Sequence, residues 1–476
     1  MGQEIDKTSF SRKDFDNYYN HLKIETETLN NLIESKSLSQ KEAVAGFEIE
    51  AWLVDSSMHP SAINDVYLDR LNNPLASAEL AKFNIELNNQ PVELNQDAFK
   101  TIHKDLGNIC EEARFTAESM NHNLIMIGSL PTLKQSELNL SNMSDLNRYR
   151  ALNQQVLSAR GKPIFLDIGG IEHLRLTHHD VMLESAATSF QIHLQIPLNS
   201  AVQFYNASII ASAACVAISA NAPYLFGKDL WSETRIPLFE QSVEIGGYDA
   251  VANGPLRRVS FGTDYARKSI MECFSENLEH YPVLLPIHFD SKPQDFEYLR
   301  LHNGTIWRWN RPLIGFDQDG TPHVRIEHRV IPAGPTVIDM LANAAFYYGL
   351  TKFLVDDYID QEPEIPFHQC KDNFYQCARY GLDSTIVWLD ADKVKIRNLI
   401  LSTLIPQARI GLRHLNISHS DADKYLDIIR QRAESGQTGA AWQRQYCFKN
   451  QCNLVSMTSA YHRNQWSGQP VHSWKI

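Results

Sequence analysis

Three stretches of the chain alternate apolar and polar residues with a period of two, the pattern of a strand with one face in a core. In residues 46–55 (GFEIEAWLVD), Phe47, Ile49, Ala51 and Leu53 form the apolar row, while Glu48 and Glu50 point the other way. In 188–196 (TSFQIHLQI), Phe190, Ile192, Leu194 and Ile196 face a core and Gln191, His193 and Gln195 face away. In 323–331 (HVRIEHRVI), Ile326 and Val330 are the apolar partners and Arg325, Glu327 and Arg329 share the opposite face. A less regular stretch runs over 83–95 (FNIELNNQPVELN), and a short apolar strand is expected at 124–131 (LIMIGSLP).

Helical periodicity fills much of the remainder. Residues 9–34 carry a broad apolar face of Phe15, Tyr18, Tyr19, Leu22, Leu29, Leu32 and Ile33. Phe99, Ile102, Leu106, Ile109, Cys110 and Ala113 fall on one stripe. The most apolar long stretch, 201–226, is interrupted by Ser, Asn and Pro and predicts a buried helix rather than a membrane span. Gly334-Pro335-Thr336 opens a long helix reaching about residue 358, with the proline in its first turn. Ser420 and Asp423 predict a capped helix that stops near Gly436. Residues 132–147 and 227–275 read as loops, and the last 40 residues show no assignable pattern. With no repeat and no clean linker, the mixture predicts one α+β domain over 1–476 with a largely antiparallel sheet.

Composition narrows the partners. A chain of 476 residues, 43% of them apolar, can build a sizeable core. Its net charge of -12, spread along the chain, argues against nucleic acid and anionic membranes. A polyanion such as ATP stays open, because bound metal ions would supply positive charge. Seven cysteines without a CxxC pair fit reduced thiols in a cytoplasmic protein. The N-terminus has no apolar signal-peptide core, and Asp6 breaks the myristoylation context of Gly2. GxxxxGK[ST] and GxSxG are absent, and neither Gly169-Gly170 nor Gly246-Gly247 belongs to a GxGxxG.

The polar rows carry the candidate chemistry. A merely solvated sheet face usually shows Lys, Thr and Ser. These rows show Glu-x-Glu, Gln-x-His-x-Gln and Arg-x-Glu-x-Arg. Carboxylates and imidazole ligate Mg²⁺ or Mn²⁺, and arginines clamp phosphate oxygens. The 83–95 stretch adds Glu86 and Glu93, whose odd spacing puts them on opposite faces of a regular strand. Pro91 cannot donate to a ladder, and a break there would bring Glu93 round to the metal side. Glu93 is thus the preferred ligand, while Glu86 fits an edge position equally well. His178-His179-Asp180 reads as an exposed turn or helix end, His328 as a core histidine, and Trp307 and Trp309 as packing or loop anchors. Asp55 and Asp65 read as turn residues.

In order along the chain stand Gly46-Phe-Glu-Ile-Glu50, Val92-Glu93-Leu94-Asn95, Arg148-Tyr149, Gln191-Ile-His193, Asn221-Ala-Pro-Tyr with Gly227-Lys228, Glu233-Thr-Arg235, Thr305-Ile-Trp-Arg-Trp-Asn-Arg311 and Arg325-Ile-Glu327-His-Arg329. This series resembles the glutamate–cysteine ligase family, in the carboxylate–amine ligase branch of the glutamine synthetase/guanido kinase superfamily. The matched core is about 46–345, and 346–476 is a helical C-terminal part with no firm match.

The resemblance implies a saddle-shaped, largely antiparallel sheet with helices on its convex face. The concave face would bind ATP, Mg²⁺ (or Mn²⁺) and an amino acid. By position, Glu48, Glu50, Glu93, Gln191 and Glu327 would ligate metal. Many bacterial members have His where this chain has Gln191, and the plant-type branch has Gln. Arg311 and Arg329 would contact phosphate or the forming acyl phosphate, and Arg235 and Arg148 would hold nucleotide or the substrate carboxylate. His193 takes only a supporting place. The implied activity is an ATP-dependent ligase joining the γ-carboxylate of glutamate to an amine, with cysteine first among amines. Its partners are then small molecules, without nucleic acid or membrane, and a homo-oligomer is allowed. The alternatives are a phosphotransferase on the same fold, with a guanidino or carboxylate acceptor, and a non-catalytic nucleotide or metal sensor.

Overall fold

The computed structural model describes residues 4–5, 7–41, 43–245, 257–357, 365–389 and 392–476. Gly2, Asp6 and the Gly246-Gly247 pair lie outside the described residues. Eight strands form one antiparallel sheet that curls into a half-barrel: β1 (Val44–Val54), β2 (Ala76–Ala78), β3 (Asn84–Asn88), β4 (Val92–Glu93), β5 (Asn123–Ile125), β6 (Phe190–Ile196), β7 (Asn310–Phe316) and β8 (Pro322–His328). The order is β7-β8-β6-β1-β3-β2, with β4 and β5 pairing the two ends of β1. The three alternating stretches of the sequence are β1, β6 and β8, side by side in the centre. The 83–95 stretch is broken as its proline requires. Asn89 bridges the gap, its Oδ1 accepting from the Phe47 N–H at 2.6 Å. Strand β7 is not foreseen, because Pro312 and the tryptophans ahead of it hide its period.

The apolar rows meet the helices. Phe47, Ile49, Phe190, Ile192, Leu194 and Ile326 are buried in one core with α2 (Ala98–Ser119), α4 (Ala201–Ser219) and α7 (Val337–Asp357). Between α2 and α4 in the chain lies α3 (Asn147–Arg160), and α1 (Arg12–Glu34) precedes them all. Helix α1 begins at Ser11, whose hydroxyl and backbone exchange hydrogen bonds with Asp14 in a capping box. Helix α4 is long and apolar enough to cross a membrane, yet 89% of it is buried inside the protein. Its serines survive burial by bonding back one turn, as Ser208 does to the Phe204 carbonyl at 2.8 Å.

Three further helices matter to the site and its support: α5 (Arg235–Ser242), α6 (Glu297–Gly304) and, past α7, α8 (His419–Ser435). Helix α5 falls inside a stretch read as loop. Helix α8 is capped by Ser418, two residues before the serine expected, and ends at Gly436 as foreseen. Likewise Thr336 caps α7, receiving the Asp339 N–H at 3.1 Å, so Pro335 stands before the first turn. The C-terminal part is tied to the convex side by Arg432 of α8. Its guanidinium pairs with Asp339 at 2.7 Å and donates to Asn343 and to the Ile218 carbonyl. Helices also occupy Gly439–Lys449 and Leu454–Gln465, where no periodic stripe announces them.

Candidate active site

Sheet register assembles the polar rows into one surface. Glu48 lies opposite Gln191 on one side and Asn88 on the other, and Glu50 lies opposite Glu86. His193 lies between Gly46 and Glu327, and Glu327 faces Arg311. The surface floors a cleft of about 530 Å³. A cleft of that size suits a ligand as large as a nucleotide.

One group of side chains there is set up for a cation. Glu48, His193 and Glu327 are buried, with one ligating atom each inside a 4.8 Å span. Among the described residues, Glu48 Oε2 has no hydrogen-bond partner, while Glu48 Oε1 is paired with His193 Nε2 at 3.1 Å. A buried carboxylate oxygen left so is costly unless something fills the gap beside it. A hard divalent ion fits this oxygen–nitrogen set. Glu327 is gripped by Arg311, through Nε at 3.0 Å and Nη2 at 2.8 Å, and by Arg329 Nε at 2.9 Å. Burial opposes its ionisation, but the two guanidiniums outweigh it and hold the carboxyl far below its usual range. Burial likewise opposes ionisation of Glu48, and the facing His193 overcomes it.

The other group is acidic and short of partners in charge. Glu50, Glu79, Glu86 and Glu184 converge from β1, the end of β2, β3 and a short 3₁₀ turn at 181–186. Glu50 accepts from Ser189 N at 2.6 Å, Ser189 Oγ at 2.8 Å and Gln191 Nε2 at 2.8 Å. Even so, burial raises its pKa, against the pull of Ser189 and Arg329. Burial and neighbouring Glu86, Glu50 and Glu184 push Glu79 well up. Burial and Glu48 bring Glu86 to about 7, and burial and Glu50 bring Glu184 to about 8.

The remaining candidates separate. Gln191 reaches the site, but its amide is in use: Nε2 donates to Glu50, and Oε1 accepts from Arg329 Nη2 at 2.9 Å. His193, expected to have only a supporting place, stands in the cluster instead, because β8 pairs it with Glu327. Glu93 is a correction. It is exposed and pairs with Val44, four residues along β1 from Glu48 and therefore about 13 Å away. The break at Pro91 does realign the strand, but too far down the sheet. Glu86 takes the inward place.

Arg235 is turned toward protein, giving Nη1 to Glu233 at 3.1 Å and Nη2 to the Arg329 carbonyl at 3.1 Å, while its buried Nε has no partner among the described residues. It is a strut beneath Arg329 that also lines a small recess beside Glu50 and Glu184. Arg148, at the start of α3, lines the cleft and donates to the Ala78 carbonyl and the Tyr149 hydroxyl.

Among the residues left aside, His328 is a core histidine as expected, stacked on Tyr347 at 4.0 Å. His178 and Asp180 are buried and paired at 2.6 Å; Asp180 does stand at a helix end, capping the 181–186 turn, but only His179 is exposed. Trp309 packs in the core and donates to Glu240, whereas Trp307 lines the cleft. Sequence reasoning missed Glu79, Glu184 and Arg300. Glu79 and Glu184 sit at a strand end and in a 3₁₀ turn, where no period of two or 3.6 marks a face.

The sequence profile of glutamate-cysteine ligase family 2 matches residues 44–469. The chain belongs to that family. It is therefore an enzyme, an ATP-dependent carboxylate–amine ligase of the glutamate–cysteine ligase type. No curated protein sequence matches it significantly. The fold is similar to the glutamate–cysteine ligase of Francisella tularensis, solved in complex with AMP. That likeness has a TM-score of 0.58 at 11% identity and covers 92% of this chain and 91% of that one. A bifunctional glutathione synthetase from Pasteurella multocida gives a TM-score of 0.51 at 11% identity, over 93% of this chain and 55% of that one.

Proposed function

We propose that this ligase joins the γ-carboxylate of glutamate to an amine, with cysteine the leading choice, using Mg²⁺–ATP and passing through an acyl phosphate. The observation that carries the reading is the buried Glu48–His193–Glu327 cluster, in which three ligating atoms lie within 4.8 Å of one another and Glu48 Oε2 has no partner among the described residues. A divalent ion bound there would neutralise phosphate oxygens and polarise the phosphorus. Glu48, His193 and Glu327 would hold it, and Glu50, Glu79, Glu86 and Glu184 form a second acidic wall able to hold another.

The protein's own groups fit the rest of the task. Making an amide from two charged partners in water is uphill, so the carboxylate must first be activated by phosphoryl transfer. Both reacting groups are anions, and the buried Arg311 and Arg329 fix positive charge beside them. Their bonds to Glu327 keep the two guanidiniums in place without reorganisation as charge moves. The depth of the cleft limits access of water that would hydrolyse an acyl phosphate. Seven free thiols, six of them buried, support a reducing, cytoplasmic setting.

The test is coupled turnover with product analysis. ADP release should require glutamate, an amine and Mg²⁺ together, and mass spectrometry should find a γ-glutamyl amide. Full ADP release with no amino acid present would sink the proposal, and a phosphorylated product without an amide would favour a phosphotransferase.

A further inference from the structure

The cleft has two unlike ends, and the sheet order separates them. Arg311, Arg325, Glu327 and Arg329 belong to β7, β8 and the residue just past it, whereas Glu86 and Glu79 belong to β3 and the end of β2. Strands β6 and β1 lie between, so β8 and β3 are about 14 Å apart along the sheet at the usual strand spacing. Past the acids, the β2 end is walled by apolar groups: Leu80, Tyr149, Leu152, Val181 and Ile5 all line the cleft. Tyr149 donates to the Ala78 carbonyl of β2 at 3.2 Å, which sets the first turn of α3 over that end. Among the described residues that line the cleft, Ile5 alone comes from outside the family-matched span of 44–469.

Local chemistry brings residue 5 here. Helix α3 begins after Leu146 with no side chain of its own capping the first turn. Glu4 fills that place: its Oε1 accepts from the Asn147 N–H at 2.6 Å, where the helix dipole favours a carboxylate. Asn147 Nδ2 in turn donates to the Ile5 carbonyl at 2.9 Å. The two bonds hold the backbone at Ile5. Its side chain is 4% exposed and belongs to the same apolar cluster as Leu80 and Val181, with Tyr149 and Leu152 packed against that cluster. The N-terminal segment and the start of α3 thus close the β2 end together.

Charge sorts the reactants between the ends. Reacting anions belong with the arginines, and an amine arriving as an ammonium is drawn to the acids. Glu50, Glu79, Glu86 and Glu184 offer more negative charge than one divalent ion cancels, so a monocation is still attracted when an ion is bound. We propose that the amine enters at the β2 end with its side chain against the apolar wall, and that Ile5 is the wall residue that limits the length of that side chain. The amine is then one with a short apolar side chain, of cysteine's size and shorter than leucine's. This rests on the ligase reading above and names the residue that sets acceptor size within it.

The test is amide formation by the full chain with L-alanine, L-cysteine, L-methionine and L-leucine at saturating glutamate and Mg²⁺–ATP, followed as kcat/KM for each amine. The wild type should favour cysteine or alanine over leucine by about tenfold or more, the discrimination that one or two methylenes give in an apolar pocket. Ile5→Ala should raise methionine and leucine relative to alanine by about tenfold, with KM for glutamate and for ATP within about twofold of wild type. Ile5→Trp should lower methionine and leucine further. Asn147→Ala keeps Ile5 but frees its carbonyl, and should shift the preference in the direction of Ile5→Ala by a smaller factor. A purely structural role would lower kcat/KM for all four amines by one factor. That result, a change confined to glutamate or ATP, or a wild type that uses leucine as readily as alanine would overturn the role of Ile5 and leave the ligase reading standing. Wild-type protein that makes no γ-glutamyl amide with any amine would refute the ligase reading itself.

Discussion

The two halves of the site use the same residue, glutamate, in opposite electrical states. Glu48 and Glu327 face His193, Arg311 and Arg329 and are held ionised. Burial among like charges raises the proton affinity of Glu79, beside Glu86, Glu50 and Glu184, of Glu86, beside Glu48, and of Glu184, beside Glu50. The first half is preassembled, its glutamates held ionised by protein groups before any metal binds. The second is completed only when positive charge arrives. Glu79 and Glu184 are only half-buried where Glu48 and Glu327 are buried, so the neighbours and not the depth decide the state.

The largest expected effect breaks the first half. Glu327→Gln removes the carboxylate that neutralises two buried arginines. Breaking such a network from one side costs about 3–5 kcal/mol, because the charges left behind stay buried. Urea denaturation should show that loss, and ADP release should fall by about a thousandfold or more. Glu184→Gln in the second half should leave stability unchanged or raise it, since it removes a carboxyl that resists ionising. Equal destabilisation by the two substitutions would erase the distinction between the halves.

Dependence on pH sharpens the comparison. Glu86 and Glu184 hold their protons more tightly folded than unfolded. Between the ordinary value of 4.5 and about 7 for Glu86, or about 8 for Glu184, the folded chain carries the extra protons. Their contribution to stability therefore declines as pH rises through that window, by on the order of 3 kcal/mol for Glu86. Glu48 and Glu327 are depressed, so their contribution is full above 4.5 and is lost as pH falls below it. Metal-free protein followed by thermal melts should lose stability from pH 5 to 8. Glu86→Gln and Glu184→Gln should each flatten the slope. Mg²⁺ or Mn²⁺ should release protons on binding at pH 6.5, seen as heats that vary with buffer ionisation enthalpy. A slope unaltered by both substitutions would remove the account of the second half.

His193→Asn tests membership of the first half. Without the imidazole, Mn²⁺ affinity should drop by at least about tenfold, while Gln191→Ala, which removes a bridge between Glu50 and Arg329, should cost less. The reverse order would restore Gln191 as the ligand.

How far the sequence could be read follows from the same chemistry. Period-two alternation in β1, β6 and β8 displays which residues share a face, so Glu48, Glu50, Gln191, His193, Glu327 and Arg329 group together from the sequence alone. Alternation says nothing about register. Whether His193 or Gln191 lies beside Glu327 is decided by which residues of β6 and β8 pair, and a shift of two residues would preserve every face assignment. Nor does it say which arginine is spent on a glutamate. Arg311 and Arg325 look equivalent in the sequence, yet Arg311 pairs with Glu327 and Arg325 gives its Nε to His193 at 3.3 Å. Glu79 and Glu184 come from segments too short for any period.

The smallest expected effect falls on Glu93, and it is informative because it is small. The family-like segment Val92-Glu93-Leu94-Asn95 makes Glu93 look like a ligand, but β4 pairs with the far end of β1 and leaves the carboxylate exposed. Among the described residues its carboxylate has one hydrogen bond, a 3.5 Å approach from Asn95 Nδ2. An exposed surface substitution of this kind changes stability by no more than about 0.5 kcal/mol. Glu93→Gln should therefore leave urea unfolding, Mn²⁺ affinity and ADP release at wild-type values. Glu86→Gln, on the strand beside it, should weaken Mn²⁺ binding to the acidic half. If instead Glu93→Gln lowers metal affinity as Glu86→Gln does, β4 must approach the cluster during turnover, and the two halves would share a third, mobile edge.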